Sequence, residues 1–428
     1  MTFQIAVVLG ILAFMIVALL GNLFPYGVTG MLCCVALVIF GIFDIPQAFS
    51  GLSSSTTIMV ACMIVVASTL GKTSIVGKLR GAMTRLQTKH GSILILMIFA
   101  ILIPLSQLMG QMACLSIMLL FAQTLDEDSE ISPGRIFFVL AVLNCFWVSR
   151  IPIGMGAAMP GIINAFYEGM VDPSDLLGFA DYLKIGIIPS IVGTVYAFFC
   201  YRMVPKTRIQ SEQAAKNHEQ IELPKGHEAL ILLVFLAVTA GFMFQKRIGN
   251  NITNIIPAAG VLALIVFKVL PLQEAVKTLT SDTIWMVAGM QAMSNALSST
   301  GVGELIGKAV LKILGSNPSG LVVLIVFAVI AAVMTNFLSN MGTMAVLCPI
   351  AASTALAGGM NVKTVVLVTA AAAWLTAFVM PTGSSAAIMA YGTGNHNPLK
   401  TMRFTLPLVV LLLVSLIISA NIFYPIYG

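Results

Sequence analysis

Charge is what this chain has least of. Asp, Glu, Lys and Arg make up 9% of its 428 residues, against 59% hydrophobic. A soluble domain carries about a quarter charged residues, so the composition excludes one. Strand-like alternation is also missing, which excludes a transmembrane β-barrel. Helices are then the remaining way to satisfy backbone groups in lipid. Apolar runs of roughly 17–25 residues, each long enough to span a bilayer, recur along the chain. The seven cysteines are scattered through apolar runs and form neither a disulfide framework nor a zinc pattern. The four histidines (His90, His218, His227, His396) all fall in loops and no HExxH pair exists, so the chain does not read as an enzyme. The net charge of +6 sits in loops between apolar runs and implies a bilayer, not nucleic acid, as the partner. The first run, from Ile5 to Leu20, lacks a basic n-region and reads as a span, not a signal peptide.

Ten spans are expected, over 4–22, 27–44, 56–71, 134–165, 183–201, 228–245, 252–270, 283–299, 362–395 and 404–424. Two further apolar segments, 92–125 and 318–357, are too long for one span and have polar or small residues near the middle, as re-entrant hairpins do. The segment Lys72 to His90 alternates five Lys/Arg with apolar residues and reads as an interfacial amphipathic helix. The positive-inside rule places it in the cytoplasm, which puts both termini outside. Fifteen of the 22 Lys/Arg then fall on cytoplasmic segments and six outside. The expected location is the cell (inner) membrane, multi-pass.

The chain repeats itself at an offset of 227–232 residues. LSSSTTIMVACM (Leu52 to Met63) matches LTSDTIWMVAGM (Leu279 to Met290). QLMGQMACLSIM (Gln107 to Met118) matches SNMGTMAVLCPI (Ser339 to Ile350), and IPIGMGAAM (Ile151 to Met159) matches MPTGSSAAI (Met380 to Ile388). Each half holds five spans and one hairpin, and an odd number of spans inverts the second copy. Inverted repeats with interrupted helices point to a secondary transporter with its site near the midplane. The expected fold is therefore an all-α polytopic membrane protein of two inverted repeats, 1–202 and 228–428, joined by a cytoplasmic linker, 203–227. Pro152, Gly154, Gly156 and Pro160 interrupt the fourth span, and Pro381 and Gly383 with Thr382, Ser384 and Ser385 interrupt the ninth. The freed N–H groups and carbonyls can meet anions and cations respectively.

At these residues the sequence resembles the divalent anion:sodium symporter (DASS) family of the ion transporter superfamily. TNFLSNMGTMAVLCPI (Thr335 to Ile350) resembles the family's Ser-Asn-Thr hairpin signature with its trailing Leu-x-Pro-Ile. AFVMPTGSSAAIMAYGTG (Ala377 to Gly394) resembles the pattern of its second broken helix, and GMGAAMPGIIN (Gly154 to Asn164) the first-repeat counterpart. The resemblance covers essentially the whole chain and implies an elevator-type homodimer. Scaffold parts would be 1–90 and 228–315, and transport parts 91–202 and 316–428. It implies a small, C4 dicarboxylate-like anion held between hairpin tips by Gln107, Arg150, Gly154, Gly156, Ser339, Asn340, Pro381, Thr382, Gly383 and Ser384. It also implies sodium at Ser339, Asn340, Thr382, Gly383 and Ser384. The sequence departs from the pattern at three places. Gln107-Leu108-Met109 stands in for the first Ser-Asn-Thr, Met341 for the second Thr, and Ala386-Ala387 for the Pro-Asn after the second break. Met and Leu do not ligate a hard cation, so the first sodium site lacks its side-chain ligands.

Arg150 lies about sixteen residues, roughly 24 Å of helix, from the start of its span at Gly134. An ionisable residue at that depth is a functional hypothesis by default. Three roles stay open for it: pairing with a substrate carboxylate, neutralising the empty first cation site, or bonding hairpin or helix-end carbonyls. No Asp or Glu falls deep in any expected span, which counts against a sodium/proton antiporter. Arsenite and sulfate remain alternative substrates. The leading expectation is a sodium-coupled or exchanging transporter of small divalent organic anions.

Overall fold

The computed structural model describes residues 3–21, 23–70, 72–74, 78, 92–108, 111–123, 125, 131–209, 223–315, 318–394 and 396–427. Every regular element among them is helical. In the first half these are α1 (Phe3–Leu20), α2 (Tyr26–Ile39), α3 (Ser55–Leu70), α4 (Ser92–Leu108), α5 (Gln111–Ala122), α6 (Pro133–Trp147), α7 (Met159–Asn164) and α8 (Asp181–Cys200). The second half repeats the order with α9 (Lys225–Met243), α10 (Asn250–Val266), α11 (Asp282–Ser299), α12 (Val302–Ile313), α13 (Gly320–Met334), α14 (Asn340–Ala357), α15 (Val362–Leu375), α16 (Ser385–Thr393) and α17 (Pro398–Phe423). The expected hairpins are the pairs α4–α5 and α13–α14, and the broken spans are α6/α7 and α15/α16.

Packing respects the duplication. The second span of each half lies against the third of the other: α2 on α11, and α10 on α3. The last spans, α8 and α17, pack on each other. Such an exchange of partners is what a two-fold relation between the halves produces. The α2–α11 contact is close because glycine faces glycine. A Cβ on Gly289 would come within 2.5 Å of the Gly30 backbone. α14 meets the length and hydropathy of a span, yet 78% of that window is buried, against 33% for α17. It is a helix inside the protein, as a hairpin arm must be.

Contacts between helix ends sort those ends into two sets. In one, the Gly27 amide donates to Asp282 Oδ1 (2.9 Å), Lys72 pairs with Glu274, and the Ser74 hydroxyl donates to Glu228 (2.8 Å). His396 Nε2 joins this set, facing the Gly134 carbonyl (2.9 Å) and Thr207 Oγ1 (3.1 Å). In the other, the Thr56 hydroxyl donates to Glu168, the Gly169 amide to Ser294, and the Tyr424 hydroxyl to Asp181. These are the two faces that alternating spans and non-crossing hairpins generate.

One element was not expected. Val302 to Ile313, read as an external loop, is the amphipathic helix α12. Glu304, Lys308 and Lys312 recur every four residues on its polar side, and Glu304 pairs with Lys308. It occupies the place in the second half that Lys72 to His90 holds in the first. That earlier segment lies outside the described residues except for 72–74 and 78, as do the acidic stretch 126–130 and linker residues 210–222.

The glycine contact gives a direct test. Gly289→Val should separate α2 from α11 and lower the thermal midpoint of the purified protein by several degrees, the scale of an overpacked interior. Gly10→Ala, with nothing within 4 Å of the added carbon, should leave it unchanged. A differential scanning measurement in detergent compares the two.

Candidate functional site

Breaking a helix strands the carbonyls at the end of its first half and the amides of the unwound segment. In the first half those groups meet Gln107, at the end of α4. Its Nε2 donates to the Ile103 carbonyl (3.1 Å), to Ser106 Oγ (2.8 Å) and to the carbonyl of Trp147, the last residue of α6. Its Oε1 accepts from the Ile151 amide (3.0 Å). One side chain thus ties the hairpin tip to both sides of the break.

The second half does the same with Asn336. Its Nδ2 donates to the Ala332 carbonyl (2.7 Å) and to that of Thr376 (3.0 Å). Its Oδ1 accepts from the amides of Val379 (2.9 Å) and Met380 (3.1 Å). The pairs 107/336, 103/332, 147/376 and 151/380 all differ by 229 residues. This register corrects the one read from sequence, which set Gln107 opposite Ser339. The shared Met-Gly-x-Met-Ala string drew that alignment three residues out of register. Carrying the offset of the break motif through the hairpin without a gap would have found Asn336. It would also have found Gln111, first residue of α5, opposite Asn340, first residue of α14.

Around the staples lies a polar cluster. The Ser385 hydroxyl, at the start of α16, donates to Gln111 Oε1 (2.7 Å), joining the first hairpin to the second break. Ser384 caps α16, accepting from the Ala387 amide (3.1 Å) while donating to the Ala377 carbonyl (2.7 Å). Cys145 Sγ sits 3.6 Å from Ser384 Oγ. The Thr335 hydroxyl faces both Asn340 Oδ1 (3.0 Å) and the Ala373 carbonyl (2.8 Å). The Thr382 hydroxyl donates to the Asn336 carbonyl (2.6 Å). Ser339 caps its own helix, accepting from the Gly342 amide (3.0 Å).

The expected residues therefore separate. Asn340, Thr382, Gly383 and Ser384 gather around the second tip and break, joined by Thr335, Asn336 and Ala377. Their hydroxyl, amide and carbonyl oxygens are the donor type a sodium ion takes. Among the described residues no cluster of His, Cys, Asp and Glu could hold a transition metal. Pro381 and Thr382 lie on the partly open side of the break. Gly154 and Gly156 shape the first break through their backbone. Gly154 has φ +58° and would place a Cβ 2.5 Å from the Gln107 carbonyl; on Gly156 a Cβ would meet the Ile151 carbonyl at 1.9 Å. Ser149 also holds a left-handed φ of 55°, strain that a β-carbon makes costly.

Arg150 does not reach this cluster. Its guanidinium is sealed between α6 and α8, 1% exposed. Nε donates to the Phe146 carbonyl (3.2 Å) and Nη1 to that of Tyr182 (3.4 Å), and Cζ lies 4.3 Å from the centre of the Tyr182 ring. Gly186 leaves the room it fills. In this conformation its partners are the backbone carbonyls of Phe146 and Tyr182, while Gln107 occupies the hairpin side of the break.

Removing either staple should be costly. Gln107→Met and Asn336→Leu each leave buried backbone groups unpaired, at about 1–3 kcal/mol per group. Both variants should unfold at lower temperature than the parent, Asn336→Leu more so because two amides lose their acceptor. Equal midpoints across the three proteins would contradict the staple.

The sequence profile of the citrate transporter family (CitMHS) matches residues 11–248 and 240–427. An uncharacterized transporter of Haemophilus influenzae is 23% identical over 428 residues, covering 95% of this chain and 90% of that protein. An uncharacterized transporter of Synechocystis sp. is 25% identical over 233 residues, 54% of this chain and 36% of that one. YfbS, an uncharacterized transporter of Escherichia coli, is 25% identical over 216 residues, 50% of this chain and 33% of its own. The matches span about a third of the length of these last two relatives. The fold is shared with the YdaH transporter of Alcanivorax borkumensis, at TM-score 0.55 and 12% identity over 89% of this chain and 88% of that one. MtrF of Neisseria gonorrhoeae shares it at TM-score 0.56 and 14% identity, over 89% and 83%. With the profile running through both halves, the chain belongs to the citrate transporter family and is a membrane transporter, not an enzyme.

Proposed function

We propose that the protein carries small divalent organic anions, C4 dicarboxylates first, across the cell membrane by an elevator motion of the hairpins and broken spans. The observation that carries the reading is the bond between Gln111 and Ser385. It brings the N-terminal ends of α5 and α16, one from each half, to a common point. Helix N-termini carry partial positive charge and free amides, which suit a carboxylate. Among the described residues no acidic side chain contacts these tips. Arg150 adds a full positive charge one helix behind the break, acting by field rather than contact. The motif resemblance to the divalent anion:sodium symporters supports the same substrate class, and the citrate transporter family makes citrate the first substrate to compare.

Coupling follows from the same geometry. In the first half, the Gln107 amide already occupies the carbonyls at the end of α6, so no cation is assigned there. Sodium is assigned to the second half, with ligands drawn from Ser339, Asn340, Thr382, Gly383 and Ser384; the other mode is anion exchange. The protein is proposed to work as a homodimer, with both termini outside as the Lys/Arg distribution indicates.

Uptake of radiolabelled succinate, citrate and sulfate into proteoliposomes tests this. Each would be measured with and without a sodium gradient, and with unlabelled substrate inside. Succinate uptake is expected, falling about tenfold in Gln111→Ala or Asn340→Ala if each removes one interaction of about 1.4 kcal/mol. Uptake of citrate or sulfate alone would move the substrate class. No uptake in any condition would overturn the proposal.

A further inference from the structure

Beyond α7 the chain does not return straight to α8. Asn164 pins Leu177 in both directions, its Nδ2 donating to the Leu177 carbonyl (3.1 Å) and its Oδ1 accepting from the Leu177 amide (2.8 Å). The Tyr167 hydroxyl donates to Asn164 (3.2 Å) and faces the Asp175 carbonyl (3.1 Å). Residues 164–177 are therefore a stiff arch that travels with α7. The arch projects one short turn, Glu168–Met170, between the third spans of the two halves. Glu168 Oε2 accepts from Thr56 Oγ1 of α3 (2.8 Å). The Gly169 amide donates to Ser294 Oγ of α11 (3.0 Å). A Cβ on Gly169 would come within 2.0 Å of Asn295 Oδ1 and 2.7 Å of its amide nitrogen, so the turn rests directly on the α11 backbone. Met170 reaches Gly303 of α12.

We propose that this turn is a latch that holds the moving unit against both scaffold halves, and that seating it takes up a proton on Glu168. The proposal rests on the elevator reading above, in which α6–α8 move past α3 and α11.

Two observations support it. Beside the latch the two surfaces enclose a cleft between their contacts, where Gly161 abuts Met59 and the Phe179 ring stacks on Phe242 at 4.7 Å. A cavity of about 300 Å³ lies there, with Met59 and Phe242 on the scaffold side and Pro160, Gly161 and Phe179 on the other. Second, among the described residues the seated carboxylate has a neutral partner and no cation. The titratable residue of α3, Cys62, lies six residues beyond Thr56, and the acidic residue of α11, Asp282, lies at the far end of that helix. On α12, Glu304 and Lys308 pair with each other. Asp44 caps the short helix Ile45–Ala48, and Asp172 and Asp175 lie further along the arch. Half-burial without a counter-charge favours the neutral acid and raises the Glu168 carboxyl from its ordinary value. The sign follows by linkage. The seated state binds the proton more tightly than the released, hydrated one, so seating is favoured at low pH and lost as pH rises through the seated value.

The experiment uses the full chain in proteoliposomes with one reporter, Asn295→Cys, which the seated turn partly covers. Labelling by a membrane-impermeant maleimide is read at pH 5.5 and 8.0, relative to Ser299→Cys at the same pH and above the parent's own thiols. With Glu168 present the ratio should rise at least fivefold between the two pH values. Glu168→Gln should hold it at the low value at both, and Gly169→Ala, which cannot seat, at the high value at both. If Glu168→Gln keeps the rise, the proton is not on Glu168 and the proposal falls. If Gly169→Ala raises labelling but the parent is flat with pH, the turn moves without a proton: the latch chemistry falls and the elevator reading stands. If no variant or pH changes the ratio, the turn does not leave the scaffold, and both fall together.

Discussion

The rest of the structure depends on paying for two broken helices inside a membrane. A helix hides its backbone from lipid, and an interruption exposes carbonyls on one side and amides on the other, each costing several kcal/mol if left bare. A single amide side chain meets both needs, because it donates at one end and accepts at the other. Gln107 and Asn336 do this from hairpin tips. Each tip is consequently tied to its break, and the polar cluster of Gln111, Asn340, Ser384 and Ser385 is placed by that tie.

Much of the fold could be read from the chain. Spans, hairpins and breaks follow from apolar length, small residues and proline, and these are local properties. α12 escaped because its apolar stripe is short and its charges invite reading as a loop; spacing Glu304, Lys308 and Lys312 by four was the available sign. The site was read less well. The break residues were found since Pro and Gly announce themselves. Asn336 and Gln111 were passed over because an amide has no fixed sequence role; its meaning is given by which carbonyl lies opposite. Arg150 was found by its cost in lipid, but sequence cannot tell which way the turn after α6 points it. It points to Tyr182 and Gly186 on α8.

A buried guanidinium among carbonyls and an aromatic ring is still a full charge in a low-dielectric setting. It lies behind the first break, where the amide of Gln107 holds the Trp147 carbonyl. The second break has no such charge among its contacts, and its oxygens are correspondingly the ones suited to a cation. The two halves share a backbone plan and differ by one buried charge.

The staples also differ in reach. Gln107 is one methylene longer than Asn336 and holds one amide beyond its break where Asn336 holds two. A longer tether with fewer attachments is the more compliant spring. A duplicated plan with matched spacing thus carries two ties of unequal stiffness, set apart by the difference of a single carbon.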